Sequence, residues 1–452
     1  MSGALLTVDG IRHCLEGAIP GTMATCAADG TPNIAYLSQV EYIDSAHIAL
    51  SFQFFNKTRH NVLENPIATL IVIDPISGGL YRLRLRYLRT ETAGALFERM
   101  KAKLAGIASY TGMAGIFKLR GSDIYRVDHI ETVPGRRAPL PAPARSVLAA
   151  LHKTTLALQR CGDLDELLQT TLDCLRESFG IEHAMLLLLD RQAPAAKLYT
   201  VASMGYEQSG VGAEVPLGAG VIGTAAQMQT PIRIGHLTSE YAYGRAVRDA
   251  AIAAGLDALL ETEIPLPGIA QSRSQLAVPV LAFGELLGVL YVESPQDLRF
   301  SYDDEDALVA IAAQLGLALR HWQQQGDGDA LAGPAPRVEA AVGTPAAVRY
   351  YADNHSVFID DDYLIKGVAG AIFWTLLQDY TGRSRRVFTN RELRLDARIA
   401  LPDLSDNLEA RLILLKRRLD ERDACVRIEK CGRGQFHLDV RRPLHLQTGS
   451  TG

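Results

Sequence analysis

His47-Ile48-Ala49-Leu50-Ser51-Phe52-Gln53-Phe54-Phe55-Asn56-Lys57-Thr58-Arg59-His60-Asn61 decides the reading of the first third of the chain. In an extended segment Ile48, Leu50, Phe52 and Phe54 share one face. Ala49, Ser51 and Gln53 share the other, and Phe55 and Lys57 continue that side. The chain turns at Asn56, Thr58 caps a short helix from Arg59 to Glu64, and Asn65-Pro66 stops it. A polar strand face thus runs into a helix N-terminus that carries Lys57, Thr58 and Arg59. Backbone N–H groups, a hydroxyl and cationic side chains converge there, a combination suited to a phosphate. The same residues also read as a solvated sheet face ending in an ordinary capped turn, and the pattern alone leaves both readings open. Further on, Tyr81-Arg82-Leu83-Arg84-Leu85-Arg86-Tyr87 sets three arginines on one strand face.

Working outward, Pro20-Gly21-Thr22-Met23-Ala24-Thr25, Asp29-Gly30-Thr31-Pro32-Asn33, Leu37-Ser38-Gln39-Val40 and Asn56-Lys57-Thr58-Arg59-His60-Asn61 before Asn65-Pro66 follow one another in order. Together they resemble the pyridoxamine phosphate oxidase-like split barrels over roughly residues 5 to 132. The resemblance implies a homodimer holding FMN at the subunit interface, with the phosphate near Lys57 and Thr58. It places Ser51, Gln53, Lys57, Thr58 and Asn61 at the cofactor. The fold also hosts haem- and deazaflavin-binding relatives. The C-terminal substrate-binding signature of the true oxidases has no match here, so oxidation of pyridoxamine phosphate is not expected.

The chain has 452 residues, 48% hydrophobic and 21% charged, with a net charge of −5. That is globular composition with room for about three domains. The charge argues against a protein that coats nucleic acid over its whole surface. No run of about 18 apolar residues occurs, so no membrane span is expected. No basic-then-apolar leader is read at the start either, which makes the expectation cytoplasmic. Six cysteines without a C-x-x-C pair read as reduced thiols rather than a disulfide framework or a zinc site. Two linkers divide the chain: a proline-rich one at 133–144 and a glycine- and proline-rich one at 323–347. Residues 348–446 hold 18 Lys+Arg against 15 Asp+Glu, a net +3, while the rest carries a net −8. The last segment is therefore the only basic one.

Residues 145–322 open and close with helices whose apolar residues recur at three- and four-residue spacing: Leu148, Leu151, Thr155 and Leu158, then Leu308, Ile311, Leu315, Ala318 and Trp322. Such seams pack on a core or on a second copy. Between them, Ala184–Leu189 and Leu286–Val292 read as central strands covered on both faces. Gly218-Ala219-Gly220-Val221-Ile222-Gly223 fits the dinucleotide fingerprint, but Pro216 disturbs the strand that should precede it and the following helix is short. The glycines read as a tight strand-to-helix turn. Val215–Gly223, Thr230-Pro231-Ile232, Ser274–Val280, Leu287–Leu290, Arg299-Phe300 and Asp304-Glu305 together resemble a GAF domain, an α/β sandwich with a central antiparallel sheet. That implies a sensory or dimerising module. Only half of the cyclic-nucleotide signature is present, so the GAF ligand, if any, is not named.

In the last segment, Val357-Phe358-Ile359 signals a short strand and Ile365 to Asp379 a helix. Thr389-Asn390-Arg391-Glu392 is a capping box that starts a second helix. A third begins near Ser405-Asp406, with Leu408, Leu412, Leu415 and Leu419 on one stripe. Asn407, Arg411, Arg418 and Arg422 line a second face about 90° away. A hairpin turning at Gly432-Arg433-Gly434 follows. The plan resembles the winged-helix DNA-binding domain of response regulators. By that resemblance the third helix enters the major groove of duplex DNA and Arg433 reaches the backbone.

The expectation is thus a multidomain α+β protein: split barrel at 1–132, linker at 133–144, GAF domain at 145–322, linker at 323–347, winged helix at 348–446 and tail at 447–452. No metal site and no catalytic motif is read. The functional expectation is a dimeric flavin-binding regulator that couples a cofactor or redox signal to DNA. The alternatives are an FMN-dependent oxidoreductase with regulatory modules, or an assembly factor whose winged helix binds protein.

Overall fold

Alternation in the first third becomes a single antiparallel sheet in the computed structural model. The structure describes residues 6–15, 19–53, 57–110, 118–139, 146–191, 196–235, 264–269, 271–324, 342–399, 408–432 and 434–449. A 3-10 turn at Asp9–Leu15 precedes β1 (Gly21–Cys26), β2 (Pro32–Leu37), β3 (Val40–Asp44), β4 (His47–Phe52), α1 (Lys57–Glu64), β5 (Ile67–Ile73), β6 (Leu80–Glu91), α2 (Ala95–Tyr110) and β7 (Gly121–Val133). The strand order is β2-β1-β5-β6-β7-β4-β3. Strand β4 lies between β3 and β7, with Ser51 opposite Ser122. Ile48 and Leu50 enter the barrel core. Ala49 and Ser51, on the other face, are buried as well, so the polar face is not solvated. Helix α1 begins at Lys57, which puts Thr58 inside the first turn rather than at the cap.

The second unit comprises α3 (Val147–Leu158), α4 (Leu164–Phe179), β8 (His183–Asp190), β9 (Lys197–Met204), β10 (Glu214–Pro216), α5 (Gly220–Met228), β11 (Ile232–Ile234), β12 (Ser274–Ala282), β13 (Glu285–Ser294) and α6 (Tyr302–Gln324). Its antiparallel sheet runs β10-β9-β8-β13-β12-β11. The apolar runs β8 and β13 are central and covered on both faces, as their composition requires. Asp163 caps α4 by accepting from Glu166 N at 2.9 Å, and Gly180 ends it with φ at 58°. The glycine motif is the tight turn expected: Gly218 has φ at +81°, and a Cβ on Gly223 would lie 2.3 Å from Pro216 O.

The third unit is β14 (Ala346–Tyr351), β15 (Ser356–Ile359), β16 (Asp362–Ile365), α7 (Gly367–Arg383), β17 (Val387–Thr389), α8 (Asn390–Leu395), α9 (Leu408–Glu421), β18 (Val426–Gly432), β19 (Gln435–Val440) and β20 (Leu444–Gly449). It has two sheets, β16-β15-β14-β20 and β17-β19-β18. The capping box at Thr389 and Glu392 is present. Strand β14 starts two residues inside the expected linker, since the expected domain opens at Val348 while Ala346 and Ala347 already pair in the ladder. Strand β20 reaches into the expected tail and pairs parallel to β14. One apolar cluster joins α4, β8, β9 and α6 of the second unit to α7, α9, β18 and β19 of the third. Among the described residues no helix is long and apolar enough to cross a membrane. All six cysteines are free.

Helix α6 lies on β12 so closely that a Cβ on Gly316 would sit 2.1 Å from Leu281 O. Alanine is the better helix former by about 1 kcal/mol, so Gly316→Ala on an exposed helix would stabilise. Here a backbone oxygen cannot yield, and overpacking on the order of 1–3 kcal/mol outweighs propensity. A thermal melt of Gly316→Ala should show a lower Tm than wild type.

Candidate functional site

The end of β4 and the start of α1 gather the residues expected at a cofactor. Ser51 and Gln53 are buried, and Gln53 Nε2 donates to Ser51 Oγ at 3.4 Å. Ser51 N donates to Gln39 O at 3.2 Å, which adds Gln39 to the group, and Ser122 stands opposite on β7. Across Phe54–Asn56, which lie outside the described residues, Lys57 opens α1 with its side chain exposed. Thr58 Oγ1 accepts from Asn33 Nδ2 at 2.8 Å. Asn61, 0% exposed, donates from Nδ2 to Thr25 Oγ1 at 3.1 Å. The structure therefore ties Ser51 to Gln39 just before β3 and to β7, with Gln53 held on Ser51, and ties Thr58 and Asn61 to β2 and β1.

Four polar atoms in this region are buried without a hydrogen-bond partner: Gln39 Oε1, Gln53 Oε1, Asn61 Oδ1 and Ser122 Oγ. Each such atom costs about 1–3 kcal/mol if it stays unpaired. Folded proteins rarely keep several in one region unless something else bonds them. Three of the four are carbonyl oxygens that want donors, and Ser122 supplies a hydroxyl. A flavin with a ribityl chain offers ring N–H and hydroxyl donors as well as acceptors, so these residues fit it. No acidic residue occupies the first turn of α1, so its N–H groups meet no carboxylate of the helix itself, while the exposed Asp29 carboxylate lies within electrostatic reach of Lys57.

Arg59 does not join the phosphate-facing group. Its Nη1 donates to Asp123 Oδ1 at 2.6 Å, and its guanidinium lies 4.8 Å from the Phe52 ring centre. Thr90 Oγ1 donates to the same carboxylate at 2.6 Å. Burial nevertheless lifts the Asp123 carboxyl above its ordinary range, outweighing Thr90 and Arg59. Of the three aligned arginines on β6, Arg82 pairs with Glu131 and Arg86 with Asp128 across to β7. Exposed apolar side chains lie on the elements that carry the site: Ile34 and Tyr36 on edge strand β2, 70% and 81% exposed on the face opposite Asn33, and Leu63 on α1. Asn33, Gln39 and Ser122 were not read as site residues from the sequence. Asn33 and Gln39 do fall in the ordered motifs quoted for the barrel, whereas Ser122 has no local signal.

Two of the five residues expected to read DNA, Arg411 and Arg418, are buried in this structure. Arg411, 5% exposed, bonds Asp190 Oδ1 at 2.9 Å and lies over the Tyr199 ring at 4.3 Å. Arg418, 3% exposed, donates to Leu364 O at 3.1 Å and to Glu421 at 2.7 Å. Arg422 is exposed. Asn407 and Arg433 lie outside the described residues. Helical periodicity separates two faces of α9, but it does not say that the second meets another domain. In the fold α9 is wedged between α7, β16 and β18 of its own unit and α4 and β9 of the second.

With this geometry in place, comparison with known proteins assigns the first two units. Residues 8–121 match the family model described as pyridoxamine 5'-phosphate oxidase, and residues 163–319 match that of the GAF domain. The chain carries an FMN-family split barrel followed by a GAF domain. Comparison with curated proteins gave no match. Among solved structures, the GAF domain of an Acinetobacter phosphoenolpyruvate-protein phosphotransferase is 22% identical, covering 40% of this chain and 97% of that one, with a TM-score of 0.31. An FMN-binding protein from Syntrophomonas wolfei subsp. wolfei is 21% identical over 28% of this chain and 86% of its own, TM-score 0.24. The free methionine-R-sulfoxide reductase of Neisseria meningitidis is 20% identical over 42% and 98%, TM-score 0.31.

Arg59 and Asp123 form a shielded pair, and removing the carboxylate takes this anion from a guanidinium that also touches Tyr87 and the Phe52 ring. Asp123→Ala should destabilise the barrel by about 3–5 kcal/mol in denaturant unfolding. An unchanged midpoint would show that Arg59 readily finds water instead.

Proposed function

We propose that the protein is a dimeric flavin-binding sensor in which the barrel holds FMN and the GAF domain links it to the third unit. The observation that carries this reading is the set of unpaired buried oxygens around β4 and α1, beside an exposed lysine at a helix start, inside a barrel of the matching family. Lys57, Thr58 and the first N–H groups of α1 would hold the phosphate. Gln53 and Asn61 would accept hydrogen bonds from the flavin, and Ser51 would keep Gln53 in place through its hydroxyl. Bound FMN supplies reversible electron transfer, and that change of state is the natural signal.

A second copy of the chain completes the site in this reading. Ile34 and Tyr36 on edge strand β2 and Leu63 on α1 are exposed apolar side chains on the elements that carry Asn33 and Thr58, and contact with a partner would bury them. The third unit serves as the output. Its order of three strands, helix, strand, two helices and hairpin supports a winged-helix plan of the response-regulator kind.

Purified protein should bind FMN with quenching of flavin fluorescence. Lys57→Ala combined with Thr58→Ala should weaken binding at least about tenfold, since charge-assisted contacts are worth roughly 1.5–3 kcal/mol each. Equal affinity in the double variant overturns the phosphate assignment, and a haem Soret band in the purified protein overturns the cofactor.

Light scattering at micromolar concentration should give a dimer mass. Ile34→Glu with Tyr36→Glu should give a monomer that has lost FMN. A dimer that survives the double change would move the interface off β2.

A further inference from the structure

Gln39 stands between the cofactor region of the barrel and helix α2. Strands β3 and β4 pair Val40 with Leu50 and Glu41 with Ala49, and just before β3 Gln39 O accepts from Ser51 N at 3.2 Å. Strands β4 and β7 pair Ser51 with Ser122 and Ala49 with Ile124. Alternation then sets two rows side by side on one face of the sheet: Gln39, Ser51 and Ser122, and next to them Glu41, Ala49 and Ile124. The first row holds two of the orphan oxygens, Gln39 Oε1 and Ser122 Oγ. The second row meets α2. Lys103 Nζ donates to both oxygens of Glu41, at 2.9 and 2.8 Å, and Arg99, one turn earlier, pairs with the same carboxylate at 3.1 Å.

Glu41 fixes which way the Gln39 amide points. A carboxylate only accepts, so Gln39 turns Nε2 toward Glu41 Oε2 at 3.5 Å and keeps Oε1 on the far side. That oxygen has no donor, in a side chain only 1% exposed. Beside Lys103, Ala102 packs on the apolar cluster of the GAF domain that includes Val221 and Ile222 of α5 and Ile232 and Ile234 of β11. Neighbouring residues of one helix thus carry the clamp on Glu41 and a contact with the GAF core.

Resting on the flavin reading given above, we infer that Gln39 is a further cofactor contact, and the residue through which occupancy of the barrel reaches the GAF domain. Its Oε1 accepts a hydrogen bond from an N–H or O–H group of the flavin. A ligand moves a distant element only by binding one state better than another. Satisfying a buried, unpaired oxygen supplies that difference, because the bond is made only with the amide held in place. At 3.5 Å the Gln39–Glu41 contact is long for a hydrogen bond, while the contacts from Glu41 to α2 are at 2.8–3.1 Å. It is the joint with room to tighten. Once it closes, Glu41 steadies Arg99 and Lys103, and α2 steadies α5 and β11.

The test uses the full-length protein, freed of flavin, with FMN itself as the probe. Fluorescence quenching gives affinity, and amide hydrogen exchange reads α5 and β11 with and without saturating FMN. Wild type should gain protection in both elements when FMN binds. Gln39→Met keeps the side-chain length and removes both hydrogen-bonding groups. It should bind FMN about tenfold more weakly, the loss of one buried hydrogen bond, and show no remote gain at saturation. Arg99→Gln lies outside the first row; it should bind FMN as wild type does and lose most of the remote gain. Lys57→Ala with Thr58→Ala, once saturated, should keep it. Each readout is the difference between loaded and empty protein of the same variant, so a general loosening of the barrel cancels. If Gln39→Met fails to fold, Arg99→Gln against the Lys57 and Thr58 variant carries the same comparison. Weaker binding by Gln39→Met with the remote gain intact leaves a cofactor contact and overturns the coupling. Wild type that binds FMN without any change in α5 and β11 also overturns the coupling, and unchanged affinity in Gln39→Met overturns the contact; both leave the flavin reading standing. Wild type that binds no FMN overturns both readings.

Discussion

The barrel and the GAF domain meet around one aromatic ring. Tyr302, the first residue of α6, is buried, with the Arg233 guanidinium 4.1 Å from its ring centre, Arg12 at 4.3 Å and the Lys103 ammonium at 5.3 Å. Arg12 and Lys103 come from the barrel and Arg233 from the GAF domain. Such cations gain most from a ring face when water is excluded. They are balanced by acids from both sides: Glu41 accepts from Lys103 at 2.8 Å and forms an ion pair with Arg99 at 3.1 Å, while Glu305 takes Arg233 at 2.7 Å. Burial would raise the Glu305 carboxyl, but Arg233, Lys103 and Arg99 outweigh it and hold the group below its ordinary range. The junction is a closed set of charges, and its geometry fixes how the two domains face each other.

That junction also touches the candidate site. Gln39 gives its backbone oxygen to Ser51 and its side-chain amide to Glu41 at 3.5 Å. Three residues thus lead from the strand next to the proposed flavin to the charge set around Tyr302. Helix α2, which carries Arg99 and Lys103, packs on α5 and β11 of the GAF domain. A change of charge or fit near Ser51 has a short physical route to the GAF sheet.

Much of this was legible in the sequence because it depends on local periodicity. The alternation in β4, the unbroken apolar runs of β8 and β13, the Thr389 capping box and the glycine turn at Gly218 all come from short patterns whose physics is local. The ordered motifs of the first two units carried their families. What failed was long-range. Whether Ala49 and Ser51 face solvent depends on chain far from β4; whether Arg411 projects outward depends on Asp190 in another domain, and whether Arg418 does depends on Leu364, 54 positions away. Arg59 looked like a phosphate ligand until the fold brought Asp123 to it. The short, half-polar β20 offered too weak an alternation to be separated from a tail.

Strand β20 has a mechanical consequence. It runs parallel to β14 in an unbroken register from Ala346 beside Leu444 to Tyr351 beside Gly449. The entry of the third unit and its exit therefore lie at opposite ends of one ladder. Tension applied between the GAF domain and anything fused to the C-terminus would load all the rungs of that ladder together, in shear, instead of peeling them one at a time. The third unit is built to resist being pulled along the chain, and a force-bearing attachment at the C-terminus would strain the β14–β20 seam before it reached α9.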